Sequence, residues 1–320
     1  MDVWHSSTKN HNITIEFCVY GIYTDTNMKP TSYIITGPTA SGKSDFAHRL
    51  AQRVGGVIIN CDSVQIYRGI ENISASPFAG RPITDTIDGV PYKLFSILPL
   101  TEQISVAEYL AMARAEYDAA LAAGRAAIFV GGTGYYINAI INGISPMPDI
   151  TAANRMRARE MVAHDIDAAR KMLPAEFTAT DPQRIARALE VFFETGRHLI
   201  EFQRMPRQGA ITPTPYKILI NPGVHELRPR IAARIPKMVA GGAIDEARAV
   251  ITSGWDENRA IGAAQLCKYL RGEISRDECT ENWITKTNQY AKRQRTWFRT
   301  QFAADTVISH TPTASDADAI

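Results

Sequence analysis

Gly37-Pro38-Thr39-Ala40-Ser41-Gly42-Lys43-Ser44 fits the pattern GxxxxGK[ST]. A short apolar run, residues 33–36, leads into it, and a helical pattern over 44–54 follows. Strand, glycine-rich loop and helix in that order give the motif its meaning. The glycines let the loop curl until its backbone N–H groups point inward, and the helix N-terminus adds partial positive charge. Pro38, Thr39, Ala40 and Ser41 form the curl, Lys43 brings a mobile cation, and the Ser44 hydroxyl is a candidate ligand for Mg²⁺. The loop reports a phosphorylated ligand without saying which one.

Working outward, three more runs resemble buried strands: 57–61, 126–130 and 216–220. Helical patterns, such as 106–123, fill the intervals. Strands alternating with helices predict a parallel sheet covered on both faces. In such folds the carboxyl ends of the strands line the ligand crevice. The run 126–130 ends in Gly131-Gly132-Thr133-Gly134 rather than in the aspartate of a P-loop ATPase. The acid at a strand end is Asp62. Asp62 and Thr133 are therefore expected to face the phosphate loop, with a simple turn cap as the alternative role for Asp62.

The alternation stops between Pro146 and Pro215. Val162, Ile166, Ala169 and Leu173 recur at helical spacing and predict a helix over 152–173. A second helix is expected from Asp181-Pro182, an N-cap followed by a first-turn proline, with Ile185, Leu189 and Phe192 inward and Gly196 as its stop. The expected fold is α/β: a P-loop NTPase-like parallel-sheet core over 31–146 and 216–302, interrupted by an all-helical insertion over 147–208. Residues 209–215 read as a linker, 303–320 as a tail, and 1–30 as a disordered extension. The first 27 of these are alternatively an upstream misassigned start, because Met28 opens a more usual lead-in.

Bulk composition narrows the class. The 320 residues are 45% apolar and 21% charged, which excludes a disordered or collagen-like chain. Thirty-five Lys and Arg against 33 Asp and Glu give +2, too little for a uniformly basic surface but compatible with a local patch. No apolar run approaches the ~18 residues of a membrane span, and no secretory signal is readable, so a cytoplasmic protein with no membrane partner is expected. Cys18, Cys61, Cys267 and Cys279 are irregularly spaced, which argues for reduced thiols and against a zinc module or disulfide framework. There is no HxxxH pair and no GxSxG element. Near the C-terminus, residues 284–301 hold Lys286, Lys292, Arg293, Arg295 and Arg299 with no acid, interleaved with Tyr290, Trp297 and Phe298. Cations with aromatics suit phosphate contact and base stacking; the alternative is an amphipathic helix with a charged outer face.

Six segments together resemble the tRNA dimethylallyltransferases, also called tRNA isopentenyltransferases. They are the loop Gly37 to Ser44, Asp62-Ser63-Val64-Gln65-Ile66-Tyr67-Arg68-Gly69, Ile104-Ser105-Val106-Ala107-Glu108-Tyr109, Gly131 to Tyr136, Asp181 to Glu190, and Ala291-Lys292-Arg293-Gln294 with Thr296-Trp297-Phe298. The resemblance implies transfer of a dimethylallyl group from its diphosphate to the exocyclic amine of an adenine beside the tRNA anticodon. It implies that the phosphate loop holds the diphosphate leaving group, with Mg²⁺ on Ser44, Asp62 as general base, Thr133 at the substrates and Arg234 on the pyrophosphate. Arg230 would share a helix face with Arg234. The tRNA anticodon stem-loop would be met by Asp62, Ser63, Val64 and Gln65, by Arg155, by Gln183, Arg184, Ile185, Ala186 and Arg187, and by Lys292 and Arg293. The target adenine would be drawn out of its stack into a pocket, and a monomer is the default for an enzyme that RNA must enter. The chain departs from the family pattern at Ile73-Ser74-Ala75-Ser76-Pro77, which lacks a glycine and a lysine, at Ala263, which replaces an aromatic ring, and at Asn288, which replaces an arginine. These departures bear on affinity and choice of tRNA. Three rivals stay open: prenyl transfer to free AMP or ATP, a small-molecule kinase, and a non-catalytic RNA-binding protein.

Overall fold

The computed structural model describes residues 30–320. The extension expected at the N-terminus lies outside the described residues. The strands are β1 (Ser32–Thr36), β2 (Val57–Asn60), β3 (Thr86–Ile87), β4 (Val90–Lys93), β5 (Ala127–Gly131), β6 (Tyr216–Ile220) and β7 (Thr306–Ile308). The core helices are α1 (Lys43–Val54), α2 (Glu71–Ser74), α3 (Val106–Ala122) and α4 (Gly134–Asn142). The insertion carries α5 (Ala152–His164), α6 (Ile166–Lys171), α7 (Pro182–Thr195) and α8 (Leu199–Gln203). The chain then returns to the core through α9 (Val224–Met238), α10 (Ile244–Ser253), α11 (Ala263–Leu270), α12 (Arg276–Gln301) and α13 (Ala314–Asp318).

The sheet order is β3-β4-β2-β5-β1-β6-β7, parallel except for the β3–β4 hairpin. Successive residues of a strand point to opposite faces, and the two halves of the core follow that alternation. Ile34, Ile59, Phe129 and Leu219 face α3, α4 and α9 to α12. Tyr33, Ile35, Ile58, Ile128, Ile218 and Ile220 face α1 and α13. Because both faces are covered, the strands read as continuous apolar runs, which is why four of them are visible in the sequence.

Several expectations are corrected. The 303–320 segment is not a tail: β7 extends the sheet beside β6, and Ile308 and Ala317 join the core under α1. Three residues are too few to show a period, so the strand left no pattern to read. The β3–β4 hairpin was likewise unread, although its Asp88-Gly89 turn takes the left-handed conformation that such hairpins need. The helix expected over 152–173 breaks at Asp165, whose extended backbone ends α5 while its carboxylate caps α6 through the N–H groups of Asp167 and Ala168. Residues 209–215 are not a loose linker. Ile211 is buried in the core, its N–H donates to the Ile140 carbonyl, and Thr212 Oγ1 bonds Ser32 Oγ at 2.8 Å.

The insertion has apolar clusters of its own. One joins Ala158, Val162 and Ala169 to Ile185 and Leu189; the other joins Ile150 to Ala188, Val191 and Leu199. It leaves and rejoins the core where Ile144 pairs with Gln208 as an antiparallel bridge. Helix α7 starts and stops as read, with the Asp181 carboxylate accepting from the Arg184 N–H and Gly196 left-handed at its end.

Candidate active site

Loops after β1, β2, β5 and β6 leave the carboxyl edge of the sheet side by side. They crowd to the point where only glycine fits: a Cβ on Gly37 would lie 2.1 Å from the Ile220 carbonyl oxygen, and one on Gly131 2.1 Å from that of Cys61. Gly42, at φ 92°, turns the loop into α1.

Inside that curl, Lys43 Nζ donates back to the Pro38 carbonyl at 3.3 Å. Burial pulls the Lys43 pKa down to about 8; the Asp62 carboxylate opposes that shift and the Arg234 cation adds to it. Helix α9 supplies two arginines one turn apart. Arg230 Nε donates to the Ala40 carbonyl at 2.8 Å, and Arg234 Nη2 donates to Thr39 Oγ1 at 2.7 Å. Burial, then the neighbouring Arg230, lowers the Arg234 pKa to about 10. Arg234 Nε and Ser41 Oγ are buried with no partner among the described residues. Unsatisfied donors inside a cationic curl are costly unless an anion fills it.

Asp62 sits at the end of β2, where Asn60 Oδ1 accepts the Asp62 N–H at 2.9 Å. Its Oδ1 accepts from the Val64 N–H at 3.0 Å, so the turn-cap role is real. Its second oxygen has no hydrogen bond among the described residues and remains available for chemistry. Thr133, expected at the substrates, is not among the residues that line the cavity. Its Oγ1 accepts from the Ser63 N–H at 3.1 Å and donates to Ser63 Oγ at 3.3 Å, which holds the Asp62–Ser63 turn in place.

The cavity these loops enclose is about 810 Å³. Lys43, Ser44, Arg230 and Arg234 line it together with Asp62, Ser63, Val64 and Gln65. Ile73, Met238, Ile261 and Trp283 add an apolar wall. Gln65 Nε2 is held by the carbonyls of Ser74 and Ala75, both at 3.1 Å. Tyr290, from α12, also faces the cavity, and burial pushes its hydroxyl pKa up. No group of three or more His, Cys, Asp or Glu suited to a metal occurs among the described residues.

Residues 65–301 match the family described as "IPP transferase". A tRNA dimethylallyltransferase of Rhodospirillum rubrum is 39% identical over 289 residues, covering 86% of this chain and 87% of its own. One from Acidiphilium cryptum is 40% identical over 290 residues, covering 87% and 86%. The chain belongs to the IPP transferase family. Among solved structures, a full-length tRNA isopentenylpyrophosphate transferase from Bacillus halodurans superposes with TM-score 0.62 at 27% identity, covering 91% of this chain and 94% of its own. A eukaryotic dimethylallyltransferase acting on tRNA shares the fold, with TM-score 0.63 at 23% identity.

Within this IPP transferase, the residues expected to face RNA divide. Arg155, Gln183 and Arg184 are exposed, and Arg187 is half-buried against Glu190 at 3.1 Å. Ile185 and Ala186 are corrected: both are buried in the insertion's own core, because positions four and five of α7 carry its apolar stripe. On α12, Arg293 faces the main cavity, whereas Lys292 lines a second cleft of about 560 Å³ with Arg228, Arg295 and Arg299 and no carboxylate. Phe298 is core, and Trp297 packs where a Cβ on Gly134 would lie 2.6 Å away, so of the three rings read in 284–301 Tyr290 is the one that lines the cavity, beside Trp283.

Of the departures from the family pattern, Ile73, Ser74 and Ala75 line the cavity and Asn288 lines the second cleft, whereas Ser76 and Ala263 are buried. One polar residue of a family-like segment had no role assigned to it from the sequence. Gln294 is buried on α12, accepts from the Thr39 N–H at 2.8 Å and donates to the Gly132 carbonyl at 3.0 Å. Only the long-range contacts show that it bridges two loops.

Proposed function

We propose that this IPP transferase moves a dimethylallyl group from dimethylallyl diphosphate to the exocyclic amine of the adenine on the 3′ side of the tRNA anticodon. One observation carries the reading: the phosphate loop and Arg234, with the orphaned donors Ser41 Oγ and Arg234 Nε, share a single cavity with Asp62, one of whose oxygens is available. A diphosphate seats in the curl, where Lys43, Arg230, Arg234 and backbone N–H groups neutralise the charge that grows as it leaves. The five-carbon chain lies against Ile73, Met238, Ile261 and Trp283. The amine nitrogen forms its bond to the allylic carbon as the carbon–oxygen bond breaks, the electron pair departs with diphosphate, and Asp62 takes the amine proton. Val64 fixes one Asp62 oxygen and so aims the other.

Ser44 and Asp45 present oxygen atoms at the phosphate end, which suits a divalent ion held chiefly by diphosphate and water. When bound, Mg²⁺ there offsets charge on the leaving group. The acid-free α12 cleft and the exposed face of α7 support a tRNA substrate over a free nucleotide, since a mononucleotide reaches neither. No helix among the described residues is long and apolar enough to cross a membrane.

The test is transfer of label from dimethylallyl diphosphate, with Mg²⁺, to unmodified tRNA or to AMP. Label is expected in tRNA and not in AMP; transfer to neither overturns the reading. Asp62→Ala is expected to lower kcat by about 10²–10⁴-fold while tRNA binding holds. A loss of only a few-fold removes Asp62 as the base.

A further inference from the structure

We infer that Gln294 is a positioning residue that sets the distance between the leaving group and the general base; this rests on the prenyl-transfer reading above. The two ends of the reaction are held by different loops. The diphosphate cradle belongs to the loop after β1, and Asp62 belongs to the loop after β2. A path of hydrogen bonds and adjacent residues joins them, and Gln294 is its middle. Thr39 N–H donates to Gln294 Oε1 at 2.8 Å, and Gln294 Nε2 donates to the Gly132 carbonyl at 3.0 Å. One residue on, Thr133 Oγ1 accepts the Ser63 N–H at 3.1 Å, next to Asp62. Thr39 is also the residue whose hydroxyl meets Arg234.

The amide is matched to both neighbours. Its oxygen faces a donor and its nitrogen an acceptor, so the orientation is fixed by chemistry. Gln294 is only 7% exposed, and a Cβ on Gly132 would lie 2.4 Å from its Nε2. The contact has no slack. Transfer along a line from leaving oxygen to attacking nitrogen is sensitive to placement, and a shift near 1 Å costs about 10²-fold. A side chain that bridges the two loops acts on kcat more than on the binding of either substrate.

Two variants test this in the full-length protein. Gln294→Met keeps the shape and removes both bonds. It is expected to lower kcat by at least about tenfold, with KM for dimethylallyl diphosphate and tRNA affinity within about threefold. Gln294→Glu keeps the acceptor but, when ionised, sets a carboxylate against the Gly132 carbonyl. Protonated, it regains a donor, and burial moves that protonation above the ordinary carboxyl range. The ratio of Gln294→Glu to wild-type kcat is therefore expected to rise as pH falls, while the Gln294→Met ratio stays flat. Lys43, Asp62, Arg230, Arg234, Tyr290 and Arg293 line the same cavity in both proteins, so the ratio cancels their effect to first order. A purely structural role would give no acid rescue. A flat Gln294→Glu ratio, or Gln294→Met at near wild-type kcat, overturns the proposal. A wild-type protein that labels no tRNA instead overturns the prenyl-transfer reading itself.

Discussion

Lys43 ties the chemistry to pH. Its folded-state pKa is lowered to about 8 because the curl strips water from the ammonium, so the cation is present below that pH and lost above it. kcat/KM for dimethylallyl diphosphate reports the free enzyme, and is expected to fall with an apparent pKa near 8. A bound diphosphate favours the charged form, so kcat should hold to higher pH. Lys43→Arg should abolish the alkaline limb of kcat/KM; a limb that persists in the variant belongs to another group. At this scale the site was legible where a residue's job is local. Lys43, Ser44 and Asp62 line the cavity within a few residues of the loop or strand end that announces them. The bridging roles of Gln294 and Thr39 were not legible, although Gln294 falls in a family-like segment, because the two lie 255 residues apart and neither side chain breaks a periodicity.

Elements were legible in proportion to their length and their caps. Helix α7 illustrates this: an Asp-Pro start, a 3.6-residue apolar stripe and a glycine stop agree with one another, and the helix forms between them. The two short strands at the sheet's edges, β3 and β7, carry no such agreement and appear only through their partners. Asp181 offers a quantitative check on the cap. Its carboxylate accepts the Arg184 N–H at 3.0 Å and pairs with the Arg184 side chain at 3.3 Å on an exposed surface. The exposed pair adds little, so Asp181→Ala should cost about 1 kcal/mol of stability, mostly from the lost cap. Denaturant unfolding measures it. Diphosphate affinity should be unchanged, since α7 touches no part of the phosphate cradle; a drop in that affinity would mean the insertion's packing reaches the core.

Over the whole molecule, a net charge of +2 conceals two different surfaces. On the insertion, five of the ten Lys and Arg have a carboxylate partner: Arg159 and Arg187 with Glu190, Arg184 with Asp181, Arg197 with Glu201, and Arg204 with Glu176. Along α12, Lys292, Arg295 and Arg299 join Arg228 in a cleft lined by no carboxylate. A partnered arginine gives up its carboxylate when it moves to a phosphate, so its net counterion release is smaller. An unpartnered one contributes in full, about 0.7–0.9 in the slope of log K against log salt per phosphate met. Lys292→Ala combined with Arg299→Ala should therefore flatten that slope for tRNA by roughly 1.5, and Arg184→Ala by less than about 0.7. Filter binding across a salt series reads both. Equal slopes for the double variant and wild type would remove the α12 cleft from the RNA path and leave the insertion to carry the electrostatics alone.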